Sequence, residues 1–138
     1  MASEHLKHLK ILTKKLEKND RELELFFESS LDMLAVMDIE GRFLRINEAW
    51  TQSLGWSSEE LMTRSYLDLV HPHDRNATIK EFTEVIDENK KIYYFRNRAV
   101  CKDGSYRVLC WTARSSKNGL HIYGVARDFD KMMERTDG

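Results

Sequence analysis

The turn signals Lys102-Asp103-Gly104 and Asn118-Gly119 divide the last third of the chain into three strand-length runs, residues 91–101, 105–115 and 119–128. The first suits a three-residue hairpin loop ending in a left-handed residue, a conformation glycine adopts without steric penalty; the second is a strong two-residue hairpin signal. Together they predict an antiparallel meander and fix its register. Directly opposed residues point to one face. Phe95, Asn97, Ala99, Leu109, Trp111, Ala113, Ile122, Gly124 and Ala126 therefore share one side of the sheet, with Arg107 in the same row. Tyr94, Arg96, Arg98, Val100, Val108, Cys110, Tyr123 and Val125 share the other. Cys101 and Cys110 fall on opposite faces and several positions apart, so no disulfide is expected between them.

The chain upstream changes period twice. Residues 4–28 contain no Gly or Pro, and Leu9, Leu12, Leu16, Asn19, Leu23 and Phe26 recur at alternating three- and four-residue spacing. That is an amphipathic helix with a narrow a/d seam. A second copy of the helix or the chain's own sheet could cover it. The narrowness of the stripe and the polar Asn19 on it favour a parallel homodimer contact, because one polar residue at a core position fixes register. After Ser29-Ser30, residues 33–38 and 42–47 read as two short strands around Asp38-Ile39-Glu40-Gly41. Asn47 is placed to cap a helix that Gly55 ends, and Ser57 with Glu60 offers a capping box for the next. A turn runs from Tyr66 to His71-Pro72, followed by a helix over 74–89 with Ile79, Phe82, Val85 and Ile86 on its apolar face. Helices on one face of an antiparallel sheet make an α+β domain.

Lys+Arg and Asp+Glu number 22 and 23, for a net charge of −1. Nothing in that balance supports nucleic-acid binding through a basic surface. No apolar run is long enough to span a bilayer, and the N-terminus lacks the order of a secretion signal. A cytoplasmic location without direct membrane contact is the expectation. Catalysis is not expected either: no nucleophile–base grouping and no glycine-rich phosphate loop falls into a common cleft.

From about residue 25 to residue 130 the chain resembles a PAS domain. The stretches that carry the likeness are "LDMLAVMDIEGRFLRINEAW", "LGWSSEELM", "LDLVHPHDR", "RAVCKDGSYRVLCW" and "GLHIYGVARDFD". The resemblance implies a five-stranded antiparallel sheet in the order 2-1-5-4-3, with helices cupping a pocket on its inner face. It also implies a sensory-box module of a bacterial signalling protein, of histidine kinase or diguanylate cyclase type, that binds a small ligand or serves as a dimerising relay. On this reading residues 1–28 form the N-terminal helix, 29–130 the domain, and 131–138 the start of a linker to an output domain in cis. Asp128, in "VARDFD", would tie the last strand to that linker.

The face holding Phe95, Asn97 and Trp111 is taken as inner. Ala99, Ala113, Gly124 and Ala126 leave space beside the sheet, and two fillings remain open. Ile79, Phe82 and Ile86 of the covering helix could pack into it. A small molecule could instead occupy it, with Asn97 as the directional hydrogen-bonding group and Tyr66 and Leu109 in the lining. Flavin chemistry of the LOV type is disfavoured, since Tyr66 stands where the resemblance would require cysteine, and Ala99, Leu109 and Ala126 stand where it would require amides. Haem is disfavoured because the long helix has no histidine and Thr78 occupies the ligand's place. His71 and His73 belong to the turn "HPHDR" and are not expected to bind metal. A third possibility makes the outer face a docking surface for a partner protein.

Overall fold

A computed structural model describes residues 2–137. The elements, in chain order, are α1 (Ala2–Ser29), β1 (Met33–Asp38), β2 (Phe43–Ile46), α2 (Ala49–Leu54), α3 (Ser58–Met62), α4 (Tyr66–Leu69), a 3-10 turn (Pro72–Asp74), α5 (Arg75–Asp87), β3 (Ile92–Val100), β4 (Tyr106–Ser115), β5 (His121–Asp128) and α6 (Phe129–Asp137). The five strands form one antiparallel sheet in the order β2-β1-β5-β4-β3. Helices α2 to α5 cover one of its faces, and the apolar core lies between them and the sheet.

The meander has the register its turns dictate. Trp111 opposes both Phe95 and Ala126, and Ala113 opposes Gly124. Gly104 sits at φ +90° and its N–H donates to the Cys101 carbonyl at 3.0 Å, closing the first hairpin. The second connection is wider than a two-residue turn, though its register is unchanged. Regular pairing stops at Ser115–Ile122; beyond it Ser116 N still donates to the His121 carbonyl at 2.8 Å, while side chains take up the N–H groups of Leu120 and His121. Asn118 Oδ1 accepts from Leu120 N and from Ser116 Oγ, which in turn accepts from His121 N. Asn118 thus satisfies the turn backbone with its own amide oxygen.

One strand departs from simple alternation. Between the pairs Ile92–Ala113 and Phe95–Trp111, β3 holds two residues where β4 holds one. This bulge leaves Tyr94 at φ +60°, an unusual conformation for a bulky residue. The alternation that puts Tyr94 on the outer face is therefore wrong below Phe95. Ile92 turns inward and is buried, Tyr93 takes the outer position, and Tyr94 projects into solvent.

Asn47 does not cap α2. The N-cap is Glu48, with no side-chain hydrogen bond. The Asn47 amide instead joins three segments: its Nδ2 donates to the carbonyls of Phe27 and Asp32 at 3.0 and 2.9 Å, and its Oδ1 accepts from Leu34 N at 3.0 Å. A buried amide with all these partners is fully used where it stands. The other caps follow the sequence. Gly55 ends α2 at φ +85°, and Ser57 with Glu60 forms a capping box on α3.

Helix α1 runs about 42 Å at 1.5 Å per residue. Its composition, rich in Leu, Lys and Glu, favours an uninterrupted helix. It leaves the domain rather than lying on it. Residues 3–26 are exposed throughout; Leu9, Leu16 and Phe26 show 57%, 63% and 77% of their surface. Only Phe27 is half-buried, under the Arg45 guanidinium, whose Nη2 also pairs with Glu24 at 2.7 Å. Residues 131–138 are expected as the start of a linker; through residue 137 they belong to helix α6, which continues directly from β5 at Phe129.

Candidate functional site

The inner face is built around Trp111. The six-membered ring of its indole abuts Gly124; a Cβ there would stand 2.6 Å from Trp111 Cζ3. Small residues on neighbouring strands make the room this ring needs: Ala126 opposes Trp111, and Gly124 opposes Ala113. The space that the small residues imply is occupied by the chain's own tryptophan. Phe82 from α5, Tyr66 from α4 and Trp50 from α2 pack around it, with ring centroids 5.8, 4.8 and 5.8 Å from Trp111. Such tilted and edge-on pairs contribute about 0.5–1.5 kcal/mol each beyond area burial.

A directional hydrogen-bond chain threads this cluster. Trp111 Nε1 donates to Tyr66 Oη at 2.9 Å and to Asn97 Oδ1 at 3.2 Å. The Tyr66 hydroxyl donates to Asn97 Oδ1 at 2.5 Å, Asn97 Nδ2 donates to Thr78 Oγ1 at 3.1 Å, and Thr78 donates to the Asp74 carbonyl at 2.8 Å. Every polar side-chain atom of this buried group has a partner among the described residues. Burial pushes the Tyr66 phenol above its ordinary pKa, against the lowering effect of its bonds to Trp111 and Asn97. The phenol is thus held as a neutral donor.

Helix α5 is set on the sheet by Asp74. Its carboxylate accepts from Arg98 N, Nε and Nη2 at 2.8 to 2.9 Å. The Arg98 hydrogen bonds lower its pKa from 3.8 to about 2. This anchor fixes the rotation of the helix so that Thr78, Phe82 and Val85 face inward. Ile79 is corrected accordingly: it stands 45% exposed, turned roughly 100° from Thr78 around the axis, and lines no pocket on the inner face. Of the other inner-face candidates, Asn97, Ala99, Leu109, Trp111, Ala126, Phe82 and Tyr66 are buried together, with Phe95 at the margin and Gly124 beneath the indole. Ala99 is covered by a backbone bridge to Val70.

Sequence reasoning missed Thr78, Trp50 and Ile92 as members of this cluster. Thr78 lies four residues before Phe82 and so shares its helix face, a signal available from spacing alone. Ile92 was concealed by the bulge.

The outer face carries an open groove of ≈ 470 Å³ with Phe27, Leu34, Tyr93, Arg114, Tyr123 and Val125 in its lining. Cys110 lies on this side and Cys101 on the other; both are free and buried, and burial raises the Cys110 thiol pKa. His71 Nδ1 accepts from His73 N; the two imidazoles meet edge-on, and the His71 ring also packs at a tilt against Tyr106. Among the described residues no group of His, Cys, Asp or Glu is arranged to hold a metal ion, and no helix is long and apolar enough to cross a membrane.

At the far end of β5, Asp128 is buried. Its Oδ2 pairs with Arg107 Nη1 at 3.3 Å and its Oδ1 accepts from Lys131 N at 3.2 Å, as an N-cap does for the helix it begins. Next to it, Arg127 Nε pairs with Asp32 Oδ2 at 3.1 Å, in the linker between α1 and β1. The register that sets Met33 opposite Ala126 brings the start of β1 beside the end of β5. Helices α1 and α6 therefore join the sheet at one end, on its two adjacent central strands.

A five-stranded 2-1-5-4-3 sheet cupped on one face by short helices is the PAS architecture. The family model described as PAS fold matches residues 43–126, more than half of the chain, and the chain belongs to that family. It is 25% identical over 127 residues to the probable diguanylate cyclase DgcE of Escherichia coli, covering 87% of this chain but 12% of that protein. Its fold is similar to the PAS domain of an HTR-like protein from Haloarcula marismortui (TM-score 0.73, 22% identity, 87% of this chain and 99% of that one). It is similar also to a domain of a sensory box sensor histidine kinase/response regulator from Geobacter sulfurreducens (TM-score 0.71, 20% identity, 82% and 96%).

Proposed function

We propose that this chain is the regulatory PAS module of a signalling protein, dimeric through α1, which relays a change in dimer arrangement through the sheet to α6 and an output domain joined to it. The observation that carries the reading is the shared root of the two helices. Asn47 and the Arg127–Asp32 pair bind the α1 junction to β1 and β5, and Asp128 binds the start of α6 to the same strands. A rotation or tilt of α1 acts on the strand pair from which α6 departs. The kinship with a diguanylate cyclase and the fold likeness to a sensor kinase domain support a signalling context.

In this reading the inner face works as a packed core. Trp111 fills the space beside Gly124, and Asn97 spends its hydrogen bonds on Tyr66, Trp111 and Thr78. A ligand entering there would have to displace the indole and leave polar groups to re-pair, at about 1–3 kcal/mol for each one left unsatisfied. Native mass spectrometry of the purified protein tests both parts. The expected species is a dimer at twice the polypeptide mass. A stable extra mass would instead support the sensory reading, in which a small molecule replaces Trp111 in the core. A monomer at tens of micromolar would remove the dimer from the proposal.

A further inference from the structure

The exposed seam of α1 contains enough to assign the orientation and register of its pairing. We infer that α1 helices of two copies pair in parallel and in register, Asn19 facing Asn19 and each Lys15 meeting Asp20 of the second copy. This rests on the dimeric reading above and adds the geometry of its interface.

The seam is bare in the single chain: Leu9, Leu12, Leu16, Leu23 and Phe26 are all exposed, although burying each would contribute about 1.5–3 kcal/mol. Its three-then-four spacing sets Leu9, Leu16 and Leu23 at a positions and Leu12, Asn19 and Phe26 at d. With that frame, Lys15 is a g residue and Asp20 the following e residue. In a parallel pair each g side chain lies against the e side chain five residues later on the other helix. Lys15 then meets Asp20 twice, once on each side of the two-fold axis. Within α1 neither residue has an ion-pair partner of its own within 4 Å.

The alternative is an antiparallel pair, and overall charge gives it an argument. Residues 4–16 hold Glu4 against Lys7, Lys10, Lys14 and Lys15, whereas residues 17–28 are acidic in balance. An antiparallel pair would bring opposite halves together and could match Lys15 with Glu22. Most of these charges, however, occupy b, c and f positions turned to solvent, where screening leaves them little weight. Asn19 decides between the two. In an antiparallel pair a residues face d residues, so Asn19 meets leucine in every register. A buried amide left without a partner costs about 1–3 kcal/mol. Parallel in-register pairing gives it a second Asn19 to bond with.

The test is a set of cysteine and charge variants of the whole chain. Positions 15, 16, 19 and 20 are solvent-exposed in the single chain, so these substitutions leave the domain fold intact. The two native cysteines are buried and give the background in the parent protein. Under mild oxidation, Asn19→Cys is expected to form a covalent dimer. A mixture of Leu16→Cys and Asn19→Cys chains, distinguished by isotope label, is expected to give 16–16 and 19–19 links. Predominant 16–19 links would overturn the inference in favour of the antiparallel pair. Sedimentation equilibrium at low salt supplies the second measurement. Lys15→Glu is expected to weaken dimerisation roughly five- to tenfold, and adding Asp20→Lys to restore it. Failure of that rescue, with the dimer otherwise intact, overturns the register alone. A parent protein that sediments as a monomer overturns the dimeric reading itself.

Discussion

Gly124→Ala is the sharpest perturbation of the inner face, because its effect depends on whether Trp111 really fills the space beside the sheet. The new methyl carbon would lie 2.6 Å from Trp111 Cζ3, 3.1 Å from Cε3 and 3.5 Å from Met37 Cε. Carbon atoms pack at roughly 3.5–4.0 Å, so the indole must retreat by about 1 Å. It has little room to do so. Its Nε1 bonds at 2.9 and 3.2 Å are already near ordinary length, and a shift of that size weakens both. Overpacking of a filled core costs about 1–3 kcal/mol, and a compromised hydrogen bond adds about 1 kcal/mol. Against this, replacing glycine within a strand recovers roughly 0.5–1 kcal/mol of backbone entropy.

The balance is a loss of about 2 kcal/mol, a fall in melting temperature of roughly 7 °C for a domain of this size. Thermal and urea unfolding followed by circular dichroism would measure it. Pairing the change with Trp111→Phe tests the cause. The smaller ring no longer reaches residue 124, so the double variant is expected to be about 1–2 kcal/mol more stable than the sum of the single effects predicts. A Gly124→Ala protein as stable as its parent would refute the reasoning. It would mean that space lies open beside Gly124, and the small-molecule reading of the inner face would replace the packed one.

The hydrogen-bond chain gives an order of effects. Asn97→Leu leaves the Tyr66 hydroxyl proton without an acceptor and Thr78 Oγ1 without its donor, and is expected to cost about 2–3 kcal/mol, whereas Tyr66→Phe leaves Trp111 Nε1 its bond to Asn97 and is expected to cost about 1 kcal/mol; the reverse order in urea unfolding would contradict the geometry. The Asp74 carboxyl, held at about 2 by the Arg98 hydrogen bonds, contributes stability that is present above its ordinary value of 3.8 and is lost as pH falls towards 2. Asp74→Asn is therefore expected to lower the urea midpoint at pH 6 and to flatten its decline between pH 4 and 2, and an unchanged slope would exclude this carboxylate as a source of acid sensitivity. Tyr94→Gly relieves a left-handed residue whose side chain is largely exposed, and a rise of about 1 kcal/mol in stability is expected. A lower melting temperature would show that the ring packs more than its exposure suggests.

The sheet was legible because its determinants are local. Two glycine-bearing turns fixed which residues of three strands share a face, and the register they dictate is the one observed. Legibility ended where a distant contact overrode a local preference. Asn47 is a good helix cap by type and position, yet its amide is drawn to carbonyls on either side of the α1–β1 junction, which no local pattern reveals. Ile79 is as apolar as Phe82, but the Asp74–Arg98 anchor sets the helix phase and leaves it outside. The bulge at Tyr94 carries neither glycine nor proline to announce it. The meaning of the small residues was equally hidden: alternation shows that Ala113, Gly124 and Ala126 make room, and only packing shows that Trp111 takes it.

The same packing bears on how such a module could work without a ligand. Trp111 sits on β4 and touches β5 at Gly124, β3 through Asn97, and the helical layer through Tyr66, Phe82 and Trp50. A filled, hydrogen-bonded core of this kind is stiff, and a displacement imposed at the β1–β5 pair is transmitted across the sheet rather than absorbed beside it. Were the inner face hollow, the strands could flex into the cavity and the connection between α1 and α6 would soften. The proposed relay therefore requires the core that the Gly124 and Trp111 variants probe. Loosening that core is expected to uncouple α6 from α1 even where the dimer persists. A fluorophore on α6 at Met133, read with and without a seam-breaking Leu16→Asp, would respond in the parent and lose its response in Trp111→Phe, whose smaller ring leaves the core underfilled. An equal response in both would separate core packing from signal relay.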